Sequence, residues 1–279
     1  MSKRIYFLTS EIVPFAEEYF LAPFSKEVPN VFIKQDTDFR VMMPKYGFIS
    51  ERRYILREVI RLRDMKLKFQ GEEVDASVKS AFVPNTKVQV YFLENEDYYK
   101  PTSRDALYSE DDENARKNSE RFGYFSSAAL TTLNYLRWEP DVIICNDWQM
   151  SLLPLFLESD ILDNDYFEDV DLIQIVHSKS DKCQYSIEEY ESIGLGDVAK
   201  EYAEDGKLDS MVSSMQISDE IVFIDREDTD LVNNYKDDET FADVLSKNED
   251  KLNELSIENT NEEDWEKLAN EIEEIIEQI

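Results

Sequence analysis

Three polar residues that could contact a small ligand follow two apolar segments of the chain. Asp147 and Gln149 come just after residues 142–145, and His177 comes directly after residues 172–176. Carboxylate, amide and imidazole groups placed in this way can recognise hydroxyl groups of a ligand. A structural interpretation competes with this one. Asp147 could serve as a turn or capping residue, and His177 could be a hydrogen-bonded histidine at a strand end.

Few residues are available for other kinds of catalytic chemistry. The chain has one histidine and two cysteines, which leaves almost nothing to form a histidine-rich metal site or a histidine-paired nucleophile. It also lacks the GxGxxG, GxxxxGK[S/T], CxxC and HExxH motifs of common cofactor and metal sites. We therefore predict no catalytic residue, no metal and no cofactor from the residue types.

Apolar segments alternate with helical segments along the chain, and this alternation predicts an α/β fold with a doubly wound parallel sheet. Several apolar segments are continuous, as expected for strands that are buried on both faces. Ligands bind beyond the carboxyl ends of the strands in such sheets, which makes the residues after each strand the candidate site. The predicted strands are residues 5–9, 39–43, 88–93, 142–145, 172–176 and 221–224, and the predicted helices are residues 114–137, 149–157, 187–202 and 208–217.

The net charge limits the partners of the protein. The chain carries 62 acidic and 30 basic residues, for a formal net charge of −32. Nucleic acid and anionic membranes are polyanions, so we predict neither as a partner. No apolar run approaches the roughly 18 residues that suggest a membrane span, and the N-terminus does not read as a signal peptide. With so few cysteines, the default location is the cytoplasm.

One basic segment departs from the acidic background. Residues 51–68 contain seven basic and three acidic residues. Their arginines and lysines could pair with neighbouring carboxylates, or they could form a patch that binds an anion or an acidic partner.

The end of the chain is strongly acidic. Residues 237–279 contain 16 acidic residues and three lysines, and Trp265, Leu268, Ile272, Ile275 and Ile279 form a narrow apolar seam at helical spacing. We predict an acidic helical extension over residues 236–279. Its seam could dock onto the α/β domain or serve as a self-association surface in a homo-oligomer.

Six motifs in sequence order resemble the N-terminal catalytic domain of glycogen and starch synthases. The most specific is Trp138 to Gln149 (WEPDVIICNDWQ), which is similar to that family's Trp-x-Pro-Asp strand and Asn-Asp-Trp turn. The other motifs are IYFLTSEIVPFA at residues 5–16, VMMPKYG at 41–47, ERFGYFS at 120–126, IVHS at 175–178 and ISDEIVFI at 217–224.

This resemblance implies one Rossmann-like domain over residues 1–235. Family members have two such domains facing across a cleft, the GT-B arrangement, and transfer glucose from a nucleotide sugar to an α-1,4-glucan. We expect only the N-terminal domain here, because residues 236–279 are too few and too acidic to replace the second one. The resemblance also implies a sugar pocket at Asp147, Gln149 and His177.

The chain departs from the family pattern where the nucleotide sugar is handled. The family's Lys-Thr-Gly-Gly is replaced by Glu17, Glu18, Tyr19 and Phe20. An acidic residue in place of the lysine repels a diphosphate, and aromatic residues in place of glycines obstruct close backbone approach. Gln149 also stands where the family often has histidine.

Three hypotheses about function follow from the resemblance and its departures. In the first, the domain is inactive alone and acts by binding a protein partner or an α-glucan. In the second, it is a glucosyltransferase subunit that another chain completes. In the third, it is a structural subunit of a protein assembly with no link to carbohydrate.

Overall fold

A mixed β-sheet organises the chain. The computed structural model describes residues 3–100, 104–110, 116–159, 167, 169–203 and 206–279. Within these residues, ten strands form one sheet, and two further strands form a separate antiparallel pair. The strands are β1 (Ile5–Leu8), β2 (Phe39–Pro44), β3 (Arg57–Glu58), β4 (Met65–Phe69), β5 (Glu72–Phe82), β6 (Gln89–Glu94), β7 (Val142–Asn146), β8 (Asp171–Val176), β9 (Gln184–Ser186), β10 (Lys207–Asp209), β11 (Glu220–Arg226) and β12 (Leu252–Ile257).

The parallel part of the sheet has the predicted doubly wound order. From one edge the strands run β12-β11-β8-β7-β1-β2-β6, with every neighbouring pair parallel. Chain connections leave β1 toward β2 on one side and return to β7 on the other. Right-handed crossovers then place the connecting helices on opposite faces of the sheet. The α/β fold predicted from the sequence is therefore confirmed.

Helices connect most of the strands. They are α1 (Leu21–Lys34), α2 (Glu51–Tyr54), α3 (Glu96–Tyr99), α4 (Asn118–Leu136), α5 (Leu153–Glu158), α6 (Ile187–Ser192), α7 (Gly196–Tyr202), α8 (Ser210–Ile217), α9 (Leu231–Lys236), α10 (Glu239–Lys247) and α11 (Glu262–Ile276). The helix predicted over residues 187–202 is divided into α6 and α7, because Gly194 has a left-handed φ of 88°. The first two residues of the helix predicted over 114–137 lie outside the described part.

An antiparallel extension of the sheet was not predicted from the sequence. β5 pairs antiparallel with β6, and both β3 and β4 pair antiparallel with β5. β4 alternates between buried apolar and exposed lysine side chains, as expected for a strand with one buried face. The lysines of β4 belong to the basic segment, and with Met65, Leu67 and Phe69 they form the period-two pattern of a strand.

Residues 236–279 continue the same sheet. β12 pairs parallel with β11 in the register Ile221 to Leu252, so this segment is not purely helical as predicted. α11 packs against α1, and its seam residues Trp265, Leu268, Ile272 and Ile275 are buried. The seam is thus covered by the chain itself. The division of the chain at residue 235 stays a prediction.

The core consists mainly of the parallel strands and the helices against them. All residues of β1 and β7 are buried, as the continuous apolar segments predicted. Among the described residues, no helix is long and apolar enough to cross a membrane.

Candidate functional site

The carboxyl ends of β1, β7 and β8 meet where the strand order reverses. Polar residues follow each strand there: Glu11 after β1, Asp147 after β7, and His177 with Ser178 after β8. In doubly wound sheets this reversal opens a crevice that binds ligands. The structure therefore brings the predicted residues Asp147, Gln149 and His177 to one place.

Asp147 is a fully buried carboxyl group with four donors. Its Oδ2 accepts hydrogen bonds from Tyr19 Oη and Ser178 Oγ, each at 2.6 Å, and its Oδ1 accepts from the backbone N–H groups of His177 and Ser178 at 3.3 Å. Burial raises the pKa of the Asp147 carboxyl, and the hydrogen bonds oppose that rise.

The backbone at Asp147 is also strained. With φ 59° and ψ −173° it occupies a region that is essentially reserved for glycine. Such a conformation costs about 1–3 kcal/mol and persists only where surrounding contacts fix it. The strained turn aims the carboxyl group into the site, where its four donors hold it.

Tyr19 occupies the space in front of the predicted ligand residues. Besides its bond to Asp147, its hydroxyl accepts a hydrogen bond of 3.0 Å from Gln149 Nε2. Gln149 is itself fully buried. One side chain of the loop that precedes α1 therefore forms a hydrogen bond with both Asp147 and Gln149.

Glu11 is a second buried carboxyl group at this edge. Tyr108 Oη donates to its Oε1 at 2.5 Å, and the backbone N–H groups of Glu18 and Tyr19 donate to its Oε2 at 2.6 and 3.3 Å. Burial is the largest influence and raises the pKa of Glu11 to about 7, while the hydrogen bonds oppose it. Glu11 thus anchors the backbone of the loop whose side chain reaches Asp147.

His177 lies in an aromatic environment. Its ring contacts Phe24 edge-on at a centroid distance of 4.4 Å, and its Nε2 lies 3.4 Å from Asn146 Oδ1. Its Nδ1 is buried and has no hydrogen-bond partner among the described residues. Burial, together with the positive charge of Arg226, lowers the pKa of His177 to about 3, so the ring is neutral.

Phe20 links the site to the end of the chain. Its ring stacks on Trp265 of α11 at a centroid distance of 5.7 Å, and the Arg226 guanidinium lies 5.0 Å from the centre of the Phe20 ring. The two other residues of the altered loop, Glu17 and Glu18, are exposed, and Glu18 Oε2 accepts a hydrogen bond of 2.8 Å from the Leu107 N–H.

The three residues predicted from the sequence lie together in the structure, but the hydrogen bonds that two of them form with Tyr19 do not follow from the sequence pattern. Glu11 and Ser178 each stand two positions after the end of a predicted strand, and this placement is the signal that points to them. The contacts of Tyr108 and Trp265 had no comparable signal, because both residues lie far from the site along the chain.

No group of three or more potential metal ligands occurs among the described residues.

A cavity lies on the same edge of the sheet, beyond β2 and β6. Its volume is about 350 Å³, and its lining includes Lys45, Glu94 and Tyr99. Lys45 and Lys79 both bind the Glu94 carboxylate, at 3.2 and 2.9 Å. The predicted residues Asp147, Gln149 and His177 do not line this cavity.

The model of one protein family, the starch synthase catalytic domain, matches residues 4–236 of the chain. The chain belongs to this family. The resemblance that the six motifs indicated is thereby confirmed, and so is the assignment of the fold to the starch synthase catalytic domain.

Two individual relatives of the chain, both of them glycogen synthases, match a smaller part of it. Glycogen synthase from Chlorobium phaeobacteroides is 33% identical over 177 residues, which cover 63% of this chain and 36% of that protein. Glycogen synthase from Chlorobium limicola is 34% identical over 177 residues, again covering 63% of this chain and 36% of that protein. The chain thus spans little more than a third of the length of these relatives.

A solved starch synthase structure has the same fold. The catalytic domain of starch synthase IV from Arabidopsis thaliana, bound to ADP and acarbose, superposes with a TM-score of 0.74. The superposition covers 92% of this chain and 52% of that chain, at 16% sequence identity. At this identity, the likeness concerns the fold of the starch synthase domain.

Proposed function

We propose that this starch synthase-like domain does not transfer glucose by itself and acts by binding a protein partner or an α-glucan. The observation that carries the proposal is the position of Tyr19. Its hydroxyl group binds Asp147 and Gln149 at the point of the sheet where a ligand would enter. A ligand that used these two residues would first have to displace Tyr19 and break both hydrogen bonds.

Charge supports the same proposal. Glu17 stands at the position of the family's lysine, and Glu18 follows it. A diphosphate brought near these exposed carboxylates would be repelled, whereas a lysine would attract it. The Arabidopsis domain binds ADP, and this loop would oppose an equivalent group in the present chain.

Glucosyl transfer provides the direct test. We expect purified protein incubated with ADP-glucose or UDP-glucose and glycogen to give no chain extension. Turnover by this chain alone would refute the proposal. It would mean that Tyr19 leaves the site readily and that the domain is a working transferase.

A variant with a restored loop makes the test sharper. Glu17→Lys combined with Tyr19→Gly and Phe20→Gly replaces one repelling charge with an attracting one and removes the aromatic obstruction. We expect titration calorimetry to detect ADP binding by this variant and none by the wild type. Equal binding by the two proteins would show that the loop does not control nucleotide access.

Co-sedimentation with glycogen separates the two proposed binding functions. Pelleting with glycogen would identify an α-glucan as the ligand, and a failure to pellet with glycogen would leave a protein partner.

Both cysteines are free and buried, which suits the reducing cytoplasm that we propose as the location of the protein.

A further inference from the structure

Exposed apolar side chains are concentrated around the basic segment. Among the described residues, four large apolar side chains are exposed: Ile60 at 84%, Ile55 at 66%, Phe82 at 59% and Tyr135 at 40%. Ile55 and Ile60 belong to residues 51–68, Phe82 lines a cavity with Ile55, and Tyr135 Oη accepts a hydrogen bond from the Lys66 N–H. Because Ile55 and Phe82 line the same cavity, they form a shared apolar surface and are not singly scattered exposed residues.

Most cations of this segment have no acidic partner. Arg63 pairs with Glu58 at 3.3 Å, and Lys66 pairs with Asp75. No carboxylate of the described residues lies within 4.0 Å of the remaining five cations, although the chain has 62 acidic residues to offer. The unpaired cations are Arg52, Arg53, Arg57, Arg61 and Lys68.

A cavity joins the apolar and the basic groups. Its volume is about 480 Å³, and Tyr54, Ile55 and Phe82 contribute apolar walls while Arg53 and Arg57 contribute charge. Its other lining residues are Ser80, Ala81, Pro84 and Gln89, so no acidic residue lines it. The cavity lies beside β3, the edge strand at this end of the sheet.

We propose that this surface, formed by residues 52–61 and Phe82, binds an acidic protein segment that carries an apolar side chain. The apolar side chain enters the cavity between Tyr54, Ile55 and Phe82. Carboxylates on either side of it pair with Arg53 and Arg57, whose planar guanidinium groups bind carboxylates with two parallel hydrogen bonds. The inference deepens the proposed function, on which it rests, by naming the class of protein partner.

The net charge favours a short segment over an extended anionic surface. Charges more than a Debye length apart, about 8 Å at physiological salt, are largely screened. A short acidic segment stays within the basic surface, but a membrane or a nucleic acid would also approach the surrounding acidic residues. A second copy of the chain also carries a net charge of −32, so the acidic surfaces of the two copies would repel each other.

Synthetic peptides serve as probes. Each fluorescein-labelled peptide has one central leucine or phenylalanine with about two glutamates on either side, so that carboxylates flank the anchor and the extended peptide spans only roughly 17 Å. We expect fluorescence anisotropy to show saturable binding that weakens about tenfold between about 0.05 M and 0.5 M NaCl. Peptides with lysine in place of glutamate, or serine in place of the central residue, should bind far more weakly.

Two double variants locate the binding surface. Arg53→Glu with Arg57→Glu should weaken peptide binding about tenfold or more, since two attractive pairs become repulsive. Lys182→Glu with Lys207→Glu changes the net charge equally at exposed lysines elsewhere and should leave binding nearly unchanged. Ile55→Ser tests the apolar contact and should also weaken binding.

Other outcomes would overturn the inference. It fails if no acidic peptide binds, or if both double variants weaken binding equally. Binding to vesicles of phosphatidylserine and phosphatidylcholine that depends on Arg53 and Arg57, without peptide binding, would replace the protein segment by a membrane. Self-association that disappears in the same variant would replace it by a second copy. None of these results affects the glucosyl-transfer assay, so the two proposals can fail separately.

Discussion

Two buried carboxyl groups, Glu11 and Asp147, determine the chemistry of the site at the scale of single residues. Buried carboxyl groups need hydrogen-bond donors, because transferring a carboxyl group from water into the protein interior without a partner is unfavourable. Here the loop before α1 supplies donors to both, through its backbone to Glu11 and through the Tyr19 hydroxyl to Asp147. Both carboxyl groups are therefore hydrogen-bonded within the protein itself.

Removing the Tyr19 hydroxyl should destabilise the protein. Tyr19→Phe leaves Asp147 and Gln149 each without one partner, and we expect the free energy of unfolding in urea to fall by about 1–3 kcal/mol. Tyr46→Phe is the matched control, because the hydroxyl of Tyr46 is buried without a hydrogen-bond partner among the described residues. Equal losses in the two variants would contradict the role assigned to Tyr19.

Glu11 should make stability depend on pH. Its pKa is about 7 in the folded protein, against an ordinary value of 4.5. Between these values the folded state holds a proton that the unfolded chain has lost, so stability falls as the pH rises through this window. Relative to Glu11→Gln, the wild type should lose about 3 kcal/mol of unfolding free energy from pH 4.5 to pH 7.

The comparison with Glu11→Gln is needed because His177 changes the stability with pH in the direction opposite to Glu11. Its pKa is lowered to about 3 from an ordinary 6.5, so its contribution to stability is lost as the pH falls below 6.5. The two slopes overlap and partly cancel in the wild type. Urea unfolding of wild type, Glu11→Gln and the exposed control Glu17→Gln at several pH values separates them. A constant difference between wild type and Glu11→Gln would disprove the assignment.

At the scale of secondary structure, α11 holds the altered loop in place. Trp265 is 5% exposed and stacks on Phe20, the last residue before α1. We expect Trp265→Ala to lower the free energy of unfolding by about 3–5 kcal/mol, because it leaves a large cavity between α1 and α11. Glu266→Ala, an exposed substitution in the same helix, should change stability by less than about 0.5 kcal/mol.

The position of β12 also decides how self-association should be tested. Truncation after Tyr235 would remove β12 and uncover the edge of β11, and a bare strand edge promotes aggregation by itself. Sedimentation of the intact chain is therefore the informative measurement. A helix whose seam is already buried against α1 offers little apolar surface to a second copy.

For the whole molecule, the net charge of −32 works against the compact state. Added salt screens this repulsion, so the urea midpoint should rise between about 0.05 M and 0.5 M NaCl. The rise should be steeper in the more acidic Arg53→Glu, Arg57→Glu variant. A midpoint that does not depend on salt would mean that local ion pairs already neutralise the repulsion.

The parallel sheet, and the edge at which the candidate residues collect, follow from the pattern of residues along the chain. Continuous apolar strands must be buried on both faces, and the residues that follow parallel strands must collect at one edge. The places of Asp147, Gln149 and His177 followed from strand positions alone. The replacement of Lys-Thr-Gly-Gly by Glu17 to Phe20 was likewise visible in the sequence.

The side chains that fill that edge could be identified only from contacts between distant parts of the chain. Tyr19 reaches Asp147 across 128 residues of sequence, and Phe20 stacks on Trp265. The left-handed backbone at Asp147 is held by contacts from two other segments of the chain, Tyr19 and residues 174–178. Such contacts depend on how loops and helices pack over the sheet. Local patterns of residue type do not reveal which distant residues this packing brings together. From the sequence, Tyr19 and Phe20 are expected only to obstruct a ligand. In the structure, Tyr19 forms hydrogen bonds in the candidate site and Phe20 stacks on Trp265.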